Sequence, residues 1–283
     1  MNENVDTTPL AATHFAAAAE AIASRFDEAA SVRPRERFRF GALSMEMEVR
    51  EPTGGDLAAR LLQRIDHARV TSDDPAIPSN VAVKAVSLGG RIPDAVAALA
   101  DAIPFDVEYV HLSDGGSLRA AWQPDCGALD IMNLETGDAL SCVTWPDRVP
   151  GWLLSAPFRH LLNWASLKLP AFEAHGAGIQ FDGTGLLLVG ASGAGKSTLT
   201  AWAAKAGFET VGDDAVLVEH RPGQKPRGYA LFDKFKVGEE MRRRLPFAER
   251  LDWLDTNSRN KSMAALSQIG PNAFEASIPL AAL

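Results

Sequence analysis

The chain has 283 residues, 46% of them hydrophobic and 23% charged, enough for one large core or two modest ones. Its net charge of −8 argues against nucleic acid or an anionic membrane surface as the main partner. Two cysteines, Cys126 and Cys142, share no metal-ligand spacing with each other or with any histidine; their scarcity fits a reducing compartment, with a single disulfide left open. No apolar run approaches the roughly 18 residues of a membrane span. The alanine-rich start lacks the basic region of a secretory signal, so the expectation is a soluble, cytoplasmic protein.

Residues 1–35 predict one alanine-rich helix, with Thr7 or Thr8 as its cap and Pro34 closing the pattern. "RFRFGALSMEMEVRE" then alternates, and Phe38, Phe40, Leu43, Met45, Met47 and Val49 predict strands of a half-buried sheet. "DLAARLLQRIDHA" predicts an amphipathic helix with Leu57, Leu61, Leu62 and Ile65 on one stripe. "TSDDPAIPSN" has loop chemistry. "ALDIMNLETGDALSCVTW" predicts a hairpin turning at Thr136, Gly137 and Asp138. Residues 36–149 are therefore an α+β region with no spacing that points to chemistry. "DRVPGWLLSAPFRHLLNWASLKLP" predicts one strongly apolar helix, and the boundary of a second domain, 150–283, is placed just before it. The basic run Arg242–Arg244 predicts a solvated face.

In the second domain, Gly190-Ala191-Ser192-Gly193-Ala194-Gly195-Lys196-Ser197-Thr198 contains G-x-x-x-x-G-K-[ST]. The flanks carry more weight than the match: "GLLLVG" is an apolar strand entering the loop, and "STLTAWAAKAG" is a helix leaving it. Glycines at 190, 193 and 195 let backbone N–H groups converge at a helix N-terminus, which carries about half a positive charge. Lys196 adds a full charge for the β- and γ-phosphates, and Ser197 offers a hydroxyl to Mg²⁺.

After the helix, "FETVGDDAVLVEH" predicts a strand that breaks at Gly212 and resumes at Val216. Taken alone, Asp213-Asp214 is a polar turn. Beside a phosphate loop, one carboxylate suits the metal and the other suits the proton of an attacking hydroxyl. Neighbouring strand residues point to opposite faces, so both reach one site only where the strand bends. Upstream, "EAHGAGIQFDGTGLLLVG" predicts a hairpin turning at Asp182-Gly183, with His175 at its outer start. Protonated, His175 would stabilise charge near the aspartates.

"HGAGIQFDGTGLLLVGASGAGKSTLTAWAAKAGFETVGDD" resembles the catalytic core of the HPr kinase/phosphorylase family and its bacterial relatives, over about forty residues. The resemblance implies an α/β fold, a P-loop kinase core of the HPr kinase/phosphoenolpyruvate carboxykinase type around a β-sheet, preceded by the α+β domain. It implies transfer of the γ-phosphate of ATP, with Mg²⁺, to a serine of a protein or peptide phosphoacceptor. By the same resemblance Lys196 binds phosphate, Ser197 meets the metal with Asp213 beside it, Asp214 accepts the proton and His175 assists. Homo-oligomer formation is left open.

The family's later metal-binding signature has no match; "VGEEMRRRLP" offers Glu239 as a second metal candidate, without the turn glycine. From His175 onward the chain is shorter than family members. Lys234 and Lys236, two apart, share a face if they lie on a strand; they either line the nucleotide or form a solvated edge, and the edge is preferred. The alternatives are a phosphoenolpyruvate-carboxykinase-like small-molecule enzyme and a nucleotide-sensing module without transfer.

Overall fold

A computed structural model describes residues 9–29, 31–32, 34–71, 79–103, 110–111, 116–255 and 261–281. Thr7, Thr8 and most of the "TSDDPAIPSN" loop lie outside the described residues. The fold is mixed α/β. Its first half is built on an eight-stranded sheet. Leu43–Glu51, Val81–Ser87 and Asp138–Val143 run parallel at the centre, and the flanking strands pair antiparallel.

The alternation expected in Glu36–Phe40 and Leu43–Glu51 is present: Phe38, Phe40, Leu43, Met45, Met47 and Val49 are all buried. Asp138–Val143 hairpins with Ala128–Asn133, and Gly137 takes a φ of 79° in the turn between them. Helices Pro9–Glu28 and Asp94–Ala102 cover one sheet face, where Phe15, Ile22 and Phe26 meet Val96, Leu99 and Ile131. Each such large side chain contributes about 1.5–3 kcal/mol on full burial.

Two expected helices differ. The amphipathic stripe is helical only over Leu57–Leu62, then tightens into a single 3₁₀ turn, Asp66–Ala68, while Leu57, Leu61, Leu62 and Ile65 are buried as expected. The apolar run after residue 150 forms two short helices, Gly151–Ser155 and Arg159–Ser166, instead of one. Pro157 cannot continue the first helix, and Phe158 turns the chain with a φ of 57°. The second helix therefore starts at Arg159 in a new direction.

The other face of the first sheet packs on the second half of the chain. Phe38, Met45 and Met47 share one core with Leu161, Trp164, Leu217 and Phe232, so the packing runs unbroken across residue 150. Polar contacts follow the same seam: the Ala42 N–H donates to Glu219 at 2.9 Å, and His67 Nε2 lies 3.0 Å from the Ala230 carbonyl. Both cysteines are buried free thiols, and burial pushes Cys126 to about 11 and Cys142 to about 12.

The second half carries three small sheets: one runs Phe235–Gly238, Lys261–Ala264 and Leu254–Asp255, and the other two touch at the strand that enters the glycine-rich loop. Gly176–Phe181 pairs with Thr184–Val189 and with Glu209–Thr210. Asp182 and Gly183 form the turn of that hairpin with φ of 49° and 71°, both in the left-handed region that a tight two-residue turn requires. The second sheet runs Ser277–Pro279, Arg227–Ala230, Val216–Glu219 and Ala171–Ala174. The C-terminal strand crosses close to Gly185, whose carbonyl accepts from Ala281 N–H at 3.0 Å. A Cβ at Gly185 would sit 2.1 Å from the Pro279 carbonyl oxygen, so only glycine allows this approach. Gly185→Ala should therefore cost about 1–3 kcal/mol. A clear fall in the urea unfolding midpoint is expected, and an unchanged midpoint would contradict the close packing of these strands.

Candidate functional site

The site lies where two chain segments change sheets side by side. Ala171–Ala174 belongs to one sheet and Gly176–Phe181 to the other, with His175 at the switch. The neighbouring segment switches too, from Glu209–Thr210 to Val216–Glu219, with Gly212-Asp213-Asp214 in between. The pairings Thr210 with Ile179 and Val216 with Ala174 hold the two segments antiparallel on either side of the crossing. That register is what brings His175 opposite the aspartates.

The expected bend is present and stronger than glycine alone would make it. Gly212 has a φ of 99° and Asp214 a φ of 78°. Aspartate tolerates the left-handed region better than most residues, yet such a backbone costs of order 1–3 kcal/mol and persists where the surroundings impose it. Here the surroundings are hydrogen bonds and ion pairs. Both carboxylates reach the site because the chain turns between them.

Asp213 is 2% exposed and fully engaged. One carboxylate oxygen accepts from the Ser197 hydroxyl at 2.9 Å, the other from the Lys236 backbone N–H at 3.0 Å. Burial pushes its carboxyl up, against the pull of those two bonds. Asp214 has the opposite fate. One of its oxygens lies 3.3 Å from His175 Nδ1; the other faces Lys236 at 3.1 Å, Lys234 at 3.6 Å and Arg159 at 3.9 Å. Burial alone would raise it, but Lys234 and Lys236, with Arg159 behind them, hold it well below the usual carboxylate range.

The loop residues Gly190 to Gly195 are exposed, and Gly193 and Gly195 have φ of 85° and 92°. Nothing lies within 4 Å of where a Cβ would stand at either glycine, so neither is packed against a neighbour. The loop strand and the helix Lys196–Lys205 flank it as expected. Lys196 donates to the carbonyls of Gly190 at 2.7 Å and Ala191 at 3.2 Å, spanning its own loop. Ser197 and the half-buried Thr198 follow in the first helical turn. One unbroken path of contacts thus runs from the loop through Ser197 and Asp213 to Asp214 and His175.

Several participants were hidden in the sequence. Lys234 and Lys236 share a face, but it is no solvated edge: Lys234 is 0% exposed and both ammonium groups point at Asp214. Lys234 Nζ has no hydrogen bond and sits 5.0 Å above the Phe232 ring. Burial, then repulsion from Lys236, lowers it to about 7, with Asp214 pulling the other way. Arg159 anchors on Glu173 through 2.9 and 2.6 Å bonds, and Asn163 holds the same carboxylate. Glu239 behaves differently: its carboxylate pairs with Arg243 and Arg242 of its own helix, away from the aspartates' hydrogen bonds. Among the described residues, no group of three or more His, Cys, Asp or Glu is arranged to hold a metal. Arg243 and Arg244 form the solvated face expected of that run. Comparison with protein-family models and with curated proteins gives no match.

Lys234 faces Asp214, Asp213, Lys236 and Arg159, and its altered proton affinity has a sign that can be checked. In the unfolded chain it keeps its proton up to about its ordinary value of 10.5; in the folded protein, only up to about 7. Between these values the unfolded state holds a proton that the folded state lacks, so this group adds stability as pH rises. Lys234→Met removes that gain. Its melting temperature relative to wild type should fall steadily as pH is raised through this window, and a pH-independent difference would contradict the burial of a charged amine here.

Proposed function

We propose that this chain is an ATP- and Mg²⁺-dependent kinase that phosphorylates a serine hydroxyl of a peptide or small protein, resembling HPr-kinase-like serine kinases. The observation that carries the reading is the continuous path from an exposed phosphate loop to a paired, bent Asp213-Asp214 and His175. The donor set fits the groups such a reaction needs. The amides of the loop and the Lys196 ammonium suit the phosphates. Ser197 and Asp213, already 2.9 Å apart, would hold the magnesium, which supplies charge to the transferring oxygens.

Each residue then has a task. Lys196 would exchange the loop carbonyls of Gly190 and Ala191 for phosphate oxygens. Asp214 would receive the hydroxyl proton as the serine oxygen bonds to the terminal phosphorus and the bond to the departing ADP oxygen breaks. Lys236 and His175, on either oxygen of Asp214, would stabilise the negative charge that builds during transfer. Asp213 stays ionised once a cation replaces the hydroxyl as its partner.

The low proton affinity of Asp214 bears on timing. A strongly acidic carboxylate is a poor base for a resting serine. In a loose transition state the hydroxyl loses its proton late, after bonding to phosphorus has made it acidic, and a weak acceptor then suffices. The same cations favour the rival reading, a nucleotide holder without transfer, since they could serve only to neutralise Asp214.

Two substitutions separate these readings. Asp214→Asn should keep ATP affinity and reduce phosphotransfer from γ-labelled ATP to acceptors in host extract by about 10²–10⁴-fold. Lys196→Met should weaken ATP binding itself. Normal transfer by the asparagine variant would remove Asp214 from the chemistry, and absence of any labelled acceptor with the wild type would leave only the nucleotide holder.

A further inference from the structure

The first half of the chain has no motif of its own, yet it builds half the wall of a large cavity. This cavity, about 950 Å³, borders the aspartate site: Arg159, Glu173 and Lys236 line it, and Arg159 and Lys236 pair with Asp214 just beyond its wall. Its other wall comes from the first sheet and the helix Asp94–Ala102 and includes Trp122 and Asp130. The two walls differ in charge. The first half contributes the carboxylates of Asp101 and Asp130 and no lysine or arginine; the cations all come from the second half.

Asp130 is incompletely matched. One oxygen accepts from the Ser141 hydroxyl at 2.7 Å. The other has only His160 Nδ1 at 3.7 Å, beyond hydrogen-bond reach. A carboxylate whose side chain is 18% exposed and short of one partner favours a cation delivered by a ligand. Trp122 and Trp152 supply broad apolar surface in the same cavity.

We infer that this cavity is the acceptor groove, holding an extended peptide segment that presents its serine to Asp214 and pairs a nearby lysine or arginine with Asp130. The inference rests on the kinase reading and narrows its substrate class. A lone hydroxy compound would leave most of the volume wet, because the cavity is at the top of the roughly 300–1,000 Å³ range of small-ligand sites. Residues flanking the serine fill it, with apolar side chains on the two tryptophans. The −8 net charge of the chain attracts the same basic segment from a distance.

The test is binding, so that it does not depend on transfer. Immobilised full-length protein is offered a library of seven-residue peptides with a fixed central serine, with and without Mg²⁺ and a non-hydrolysable ATP analogue. Retained peptides are sequenced by mass spectrometry. Lysine or arginine should be enriched at a fixed offset from the serine, and Asp130→Asn should cut that enrichment about tenfold. Trp152→Ala should weaken retention of the whole set. Should Asp130→Asn unfold, as judged by circular dichroism, the exposed Asp101→Asn supplies the same readout. Retention of no peptide, or an enrichment indifferent to both aspartates, overturns the groove. Peptides that are retained but never labelled by γ-labelled ATP support the groove and count against the kinase reading; labelled peptides indifferent to Asp130 and Asp101 do the reverse.

Discussion

One half-buried carboxylate organises this region. Asp214 takes a left-handed backbone conformation at the point where its segment leaves one sheet for another, and its two oxygens collect His175, Lys236, Lys234 and Arg159. A carboxylate away from water is costly unless paired, and so is a fully buried lysine. The lysines keep Asp214 strongly acidic, while Asp214 offsets only part of the cost of burying Lys234, which still falls to about 7. The four partners come from three separate stretches of chain, so neutralising Asp214 also fixes how those stretches meet.

The rest of the architecture serves that junction. The core shared by both halves holds the helix Arg159–Ser166 against the first sheet, and this helix delivers Arg159. The strand Phe235–Gly238 delivers Lys236, whose backbone N–H also binds Asp213. The adjacent aspartates therefore live in opposed electrostatic settings: one is raised by burial and held by neutral donors, the other is depressed by cations. Two chemically equal carboxylates, adjacent in sequence, thus differ in proton affinity because their surroundings differ.

How far the sequence alone reaches depends on whether the signal is local. The glycine spacing of 190, 193 and 195, the Asp182-Gly183 turn and the alternation from Phe38 to Val49 all depend on neighbours in the chain, and each is present in the structure. Gly212 announced the bend that lets both aspartates face one way. Arg159 was hidden inside an apolar run read as one helix, because the break at Pro157-Phe158 was outweighed by the leucines and tryptophans around it. The burial of Lys234 has no local signal, because lysine is almost never fully buried unless paired, and its partner Asp214 lies some twenty residues away in another segment. Glu239 illustrates the reverse case: an acidic residue at a plausible distance in sequence is taken by arginines one helical turn on.

The central claim is that the loop, Asp213, Asp214 and His175 converge on one transferable phosphoryl group. A crystal structure with Mg²⁺ and a non-hydrolysable ATP analogue tests this most directly. The account predicts the metal between Ser197 and Asp213, and the terminal phosphate in contact with Lys196 while facing Asp214 and His175. A terminal phosphate turned away from the aspartates, with Lys236 and Lys234 still locked on Asp214, would contradict it.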